Sequence, residues 1–196
     1  MNYLAHLHIA EQAQSSFLGN LAADFIRGNP DKTLPTSVAN GVRLHRFVDA
    51  TVDSEPEIMD CYALFPKGLR RIAPIALDIY WDHLLINEWK NFHSLGVDEF
   101  LTHVQDQIAL EESQCDDLPA RYLQVSRLLW QQQWIMSYRS WRGFNEILYR
   151  MSQRSIAIKA LPNCAPIIDV HSSTLHHVFH NFYPRLLNAA QQRKLC

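Results

Sequence analysis

Glycine is scarce in this chain, six residues in 196, and proline accounts for only nine. So little turn-forming chemistry excludes collagen-like and low-complexity chains, and it speaks against a β-sandwich or barrel, whose short strands need frequent turns. Long apolar runs are missing too. The longest, Ile72 to Leu77, ends at Asp78, well short of the roughly 20 residues that cross a bilayer. The opening MNYLAHLHIAEQ carries no basic stretch and no small-residue cleavage site, so neither secretion nor a membrane partner is expected. Four cysteines, at 61, 115, 164 and 196, form no CxxC pair. They read as reduced thiols of a cytoplasmic protein, not as a zinc knuckle or a disulfide framework.

An excess of one charge is also absent. Eighteen basic and twenty acidic residues give a net charge of -2, which supplies no overall field for nucleic acid. The distribution is uneven, however: residues 98–117 carry seven acidic groups and no basic one, whereas 118–196 carry ten basic and two acidic. Such a basic segment either neutralises the acidic stretch inside the same fold or meets an acidic or phosphate-bearing partner. Arg121, Arg127, Arg139, Arg142, Arg150 and Arg154 are therefore either a solvated face or a docking patch.

What is present is a helical pattern. Apolar residues recur in steps of three and four, and no alternating runs are joined by Asn-Gly or Asp-Gly, so an all-α fold is expected. The length suits one domain, residues 1–196, able to bury its own core without a disulfide or structural metal. Helices are expected at about 2–12, through FLGNLAADFIR to Gly28, over SVANGVRLHRFVDATVDS, and at 57–65. Others follow at 69–92 (kinked by Pro74 or starting near 73), 98–113, 119–133, 139–160 and 170–193.

Polar residues inside apolar helices of the first 83 positions point to chemistry. His6 and His8 sit in the first helix, Asp24 in LAADFI, His45 and Asp49 four apart in RLHRFVDA, and Asp78 and Asp82 four apart in LDIYWDHLL. Side chains four apart share a helix face, so each pair can converge on one ion. Imidazole with carboxylate suits Mn²⁺ or Mg²⁺, whereas a structural zinc would bring thiolates that this region lacks. A purely structural reading pairs the carboxylates with Arg27, Arg43 and Arg46 and leaves the histidines as hydrogen-bonded core. His176 and His180, also four apart and flanked by His177, suggest a second cluster, but no carboxylate follows Asp169 in the sequence.

The runs MNYLAHLHIA, SFLGNLAADFIRG, VANGVRLHRFVDATVDSEPEI and RRIAPIALDIYWDHLL together resemble the acyl carrier protein phosphodiesterase family, also called acyl carrier protein hydrolase. The resemblance implies a helical fold divergent from the metal-dependent HD phosphohydrolases. It also implies removal of 4'-phosphopantetheine from holo acyl carrier protein, an acidic protein substrate, with a divalent cofactor, Mn²⁺ or Mg²⁺. The chain departs from the HD pattern: it has no adjacent His-Asp pair, Asp82-His83 is reversed, and Asp24 stands where the first histidine would be. Carried onto this sequence, the family's motif positions make Asp24, His45 and Asp49 catalytic and, with Asp78, metal ligands. His6, Asp53, Asp82 and His83 are the further choices. Arg43, Arg46, Arg70 and Arg71 are expected at the phosphate, because guanidinium binds phosphate oxygens bidentately. Two alternatives stay open: an HD-like hydrolase of a nucleotide or small phosphoester, and a non-catalytic helical module that binds acyl carrier protein.

Overall fold

The computed structural model describes residues 1–193, and among them it contains eleven α-helices, five short 3-10 turns and no strand. Helix α1 (Tyr3–Gln12) is buried continuously from Leu4 to Ala10, as a helix apolar on every side must be. It runs through the centre of the fold, against α2 (Phe17–Ala22), α3 (Thr36–Ser54), α5 (Ala73–Asn87) and α11 (Ser172–Gln192). Helix α5 is likewise mostly buried. Trp81 on α5 stacks on Phe179 of α11, which stacks on Tyr183, with ring centroids 5.9 and 4.9 Å apart. Helix α4 (Pro56–Ala63) follows α3, and α6 (Val97–Glu112) packs on α2. The remainder is α7 (Ala120–Gln131), α8 (Trp134–Ser137), α9 (Trp141–Ser152) and α10 (Ala165–Val170). No helix among the described residues is long and apolar enough to cross a membrane.

The expected all-α class holds, with three corrections to its elements. The second helix stops at Ala22 and tightens into a 3-10 turn, Ala23–Phe25, before Ile26 becomes extended and Gly28 takes the left-handed region at φ 72°. Arg46 accounts for this early stop: its guanidinium donates to the carbonyls of Ile26 and Gly28, which fixes an irregular segment. Asp24 therefore sits on a turn. The expected helix over 139–160 is divided because Ser140 accepts from the Gly143 amide and starts α9, while Ser155 caps a separate 3-10 turn at Ile156–Ile158. The last helix starts at Ser172, after the separate short α10, and continues through Pro184. Pro74 belongs to the first turn of α5, where its missing N–H costs nothing.

Candidate metal centre

The centre is built where α2 crosses α3 at Gly19 and Gly41. A Cβ on Gly41 would lie 2.8 Å from the Ser16 carbonyl oxygen and 2.9 Å from the Gly19 Cα, and a Cβ on Gly19 would collide with the Val38 carbonyl. Only glycine permits this approach. It brings the Asn20 carbonyl oxygen 2.8 Å from Nδ1 of His45. Nδ1–H donates to that oxygen, which turns Nε2 of His45 outward as the free ring nitrogen.

Helix α1 is set against this pair from α5. The buried carboxylate of Asp82 accepts hydrogen bonds from the Leu4 and Ala5 amides at 2.8 and 3.0 Å, satisfying two first-turn donors that the helix cannot satisfy itself. His6 and His8 are two positions apart and so project about 200° from one another. His8 turns to the Tyr183 hydroxyl at 2.9 Å. His6 turns to α3, where its ring stacks on His45 with centroids 3.8 Å apart and planes 15° from parallel.

Three donors then converge. Nε2 of His6 lies 3.2 Å from Oδ1 of Asp49, and Nε2 of His45 lies 3.0 Å from Oδ2 of the same carboxylate and 3.4 Å from Oδ1 of Asp24. Both Nε2 atoms are buried and neither makes a hydrogen bond of acceptable geometry. Short separations without alignment mean that these ring nitrogens and carboxylate oxygens face a common point, where a bound ion would take the place of the His45 Nε2 proton. Buried polar atoms of this kind need a partner, and two imidazoles with a carboxylate, all within 4.8 Å, suit a divalent ion. The residues fit a metal.

The electrostatics agree with that fit. Burial alone would lower the His45 imidazole, but the carboxylates of Asp24 and Asp49 overcome it and carry its pKa up to about 9. Burial and then the His45 charge push His6 down to about 4, so it stays a neutral donor near pH 7. Burial works against the Asp49 carboxylate, yet His45 and His6 hold it well below the usual carboxylate range. Asp24, also lowered by His45, remains ionised. Its side chain is 74% exposed and faces a groove.

Of the residues expected from sequence, Asp24, His45 and Asp49 are brought together, and His6 joins them. Asp78 stands beside this group: its Oδ1 lies 2.8 Å from the Met1 amino nitrogen, which is itself 3.8 Å from Oδ1 of Asp49. Asp82 is occupied by the start of α1. Nδ1 of His83 lies 2.6 Å from the Tyr138 carbonyl oxygen, and Asp53 is exposed. Arg46 binds the backbone carbonyls described above, Arg70 donates to the carbonyls of Phe65 and Ala63, and Arg43 pairs with Asp31 and Asn40. Arg71 is exposed. The C-terminal histidines do find a carboxylate, at the end of α5: Nε2 of His176 and His180 lie 2.6 and 2.5 Å from the two oxygens of Glu88. These three form a second group with donor atoms close enough for a metal.

An all-helical chain with a candidate metal centre of two imidazoles and one or two carboxylates is what fold and site define. Comparison with known proteins is more specific. The family model described as "Acyl carrier protein phosphodiesterase" matches residues 1–186. Proteins of that name from Escherichia coli O157:H7 strain EC4115 and from Escherichia coli K12 strain DH10B are each 36% identical to this chain over 196 residues, covering 100% of both sequences. The chain belongs to the acyl carrier protein phosphodiesterase family. No solved structure matches it.

Proposed function

We propose that this protein hydrolyses the phosphodiester between 4'-phosphopantetheine and the carrier serine of holo acyl carrier protein, leaving the apo carrier and free 4'-phosphopantetheine. The observation that carries the reading is the convergence of unbonded His6 and His45 nitrogens on Asp49 in a member of this family. His6, His45 and Asp49 would hold a divalent ion, Mn²⁺ or Mg²⁺, which when bound supplies positive charge to the phosphoryl oxygens and acidifies a water.

The chain's own residues do the rest. The Asn20 carbonyl fixes the His45 ring, and buried His6 stacks against its face. Asp24, ionised and open to solvent, accepts the proton of the attacking water. As the new P–O bond forms and the bond to the serine oxygen breaks, that proton passes from Asp24 to the serine oxygen. The relation to the HD phosphohydrolases is proposed at this level alone, a histidine–carboxylate centre on helices. The cytoplasmic location rests on Cys61, Cys115 and Cys164 being unpaired; Cys196 lies outside the described residues.

The test is to incubate the purified protein with holo acyl carrier protein after chelation, with and without added Mn²⁺, and to weigh the carrier. Loss of the prosthetic group's mass only with Mn²⁺ supports the reading. An unchanged carrier under all conditions overturns it.

A further inference from the structure

Beside the metal centre lies a groove of about 540 Å³ whose wall begins at Asp24. Tyr3 at the start of α1, Arg27 after the Asp24 turn, Arg121 on α7, and Trp134 with Arg154 complete its principal lining. Tyr3, Trp134 and Arg154 also border a smaller, largely apolar pocket of about 90 Å³, where Ile147, Met151 and Arg150 join them. The two spaces are thus neighbours with Tyr3, Trp134 and Arg154 in common.

Unpaired arginines gather at this surface, although Arg71 and Arg127, which border neither space, are also without a side-chain partner among the described residues. Arg43, Arg46, Arg70, Arg139, Arg142 and Arg185 are each engaged with acidic side chains or backbone carbonyls. Arg27, Arg121, Arg150 and Arg154 make no ion pair or side-chain hydrogen bond among the described residues, and all four border the groove or its pocket. Arg27 is presented there by construction, because Arg46 grips the carbonyls on either side of it, at Ile26 and Gly28. Four cations beside the single carboxylate of Asp24 leave an excess of positive charge, and an anionic ligand relieves the repulsion among them.

We infer that this groove binds the holo carrier, the four free arginines meeting the acidic protein surface and the phosphate, and the apolar pocket receiving the far end of the pantetheine arm. The inference rests on the proposed hydrolysis of holo acyl carrier protein and assigns its binding surface. Asp24 at one end of the groove puts the phosphodiester beside His45 and Asp49. Tyr3, Trp134, Ile147 and Met151 give the neighbouring pocket its apolar lining for the methyl and methylene groups of the arm, and Arg150 and Arg154 stand at the same pocket. Attraction across so open a surface acts mainly on encounter and is screened by salt over about 8–10 Å.

Steady-state kinetics on holo acyl carrier protein with Mn²⁺ test this. The double variant Arg121→Glu/Arg154→Glu should raise KM about tenfold or more and flatten its salt dependence while kcat changes less than about threefold. Arg121→Gln should give a smaller rise in the same direction and guards against misfolding of the double variant, and Met151→Trp should raise KM by filling the pocket. Arg142→Glu, on an exposed pair with Glu146 away from the groove, should leave KM unchanged. A double variant that folds and retains wild-type KM and salt dependence overturns the groove assignment and leaves the hydrolase reading standing. Absence of turnover by the wild-type protein removes both.

Discussion

The imidazoles of His6 and His45 lie face to face at 3.8 Å, on helices that meet only in the folded chain. Two stacked rings this close do not both carry a positive charge, and the surroundings decide between them: His45, beside Asp24 and Asp49, is raised, and His6, buried and beside His45, is lowered. One ring is thus a ready neutral ligand, and the other marks the most cation-seeking point of the site.

A pH profile of stability in chelator follows from that asymmetry. His45 has a folded pKa of about 9, above its ordinary 6.5, so the stability contributed by its protonated form is fully present below about pH 6.5 and lost as pH rises toward 9. Asp49, held below the ordinary 3.8, contributes stability above that value that disappears as pH falls. The contribution of this pair to the melting temperature, read as the difference between wild type and His45→Gln, should therefore be flat between about pH 4 and 6.5 and decline above it. Calorimetry of the two proteins across that range measures it.

The glycine crossing offers a second check. Gly41→Ala forces α2 away from α3 and should destabilise the protein by about 1–3 kcal/mol. It should also weaken Mn²⁺ binding, because the Asn20 carbonyl leaves Nδ1 of His45. Gly68→Ala, whose Cβ would meet nothing within 4 Å, should change neither. Chemical denaturation and calorimetric titration of the metal measure both effects.

Asp82 should behave as a structural residue with a consequence at the site. Asp82→Ala leaves the Leu4 and Ala5 amides unsatisfied in the interior, at about 1–3 kcal/mol for each lost partner. Because those amides open α1, His6 loses its position, and metal affinity should fall together with stability. An Asp82→Ala protein with lower stability but wild-type Mn²⁺ affinity would separate the two roles.

Asp24 should show the opposite pattern. Its side chain is 74% exposed, so Asp24→Ala should change stability by no more than about 0.5 kcal/mol. Loss of the proton acceptor should lower kcat on holo acyl carrier protein by about 10²–10⁴-fold. Denaturation and single-turnover measurements on one preparation compare the two numbers.

The parts of this arrangement that were legible in the sequence are those contained in one element. His45 and Asp49 pair because four residues bring a helix back to the same face, and the all-α class follows from apolar spacing alone. Contacts between elements were less visible. His6 ranked below Asp78 because both stand in apolar helices; Met1 engages one and the α1–α3 packing delivers the other. Asp82 read as a second ligand pair with Asp78, yet its carboxylate reaches backbone amides that no residue pattern announces. Glu88 was invisible as the partner of His176 and His180 because the contact joins the end of α5 to α11 across 88 residues of sequence. Gly19 and Gly41, among only six glycines, were the one unused signal of the helix crossing.

The central claim is that His6, His45 and Asp49 hold the ion on which hydrolysis depends. The most direct measurement is metal content by elemental analysis alongside turnover of holo acyl carrier protein, on chelated wild-type, His6→Asn, His45→Asn and Asp49→Asn proteins titrated with Mn²⁺. The wild type should regain full turnover as Mn²⁺ fills this site, and the three variants should neither retain that ion nor turn over at the same free Mn²⁺ concentration. Full turnover by wild-type protein with no detectable metal, or by the three folded variants, would contradict the account.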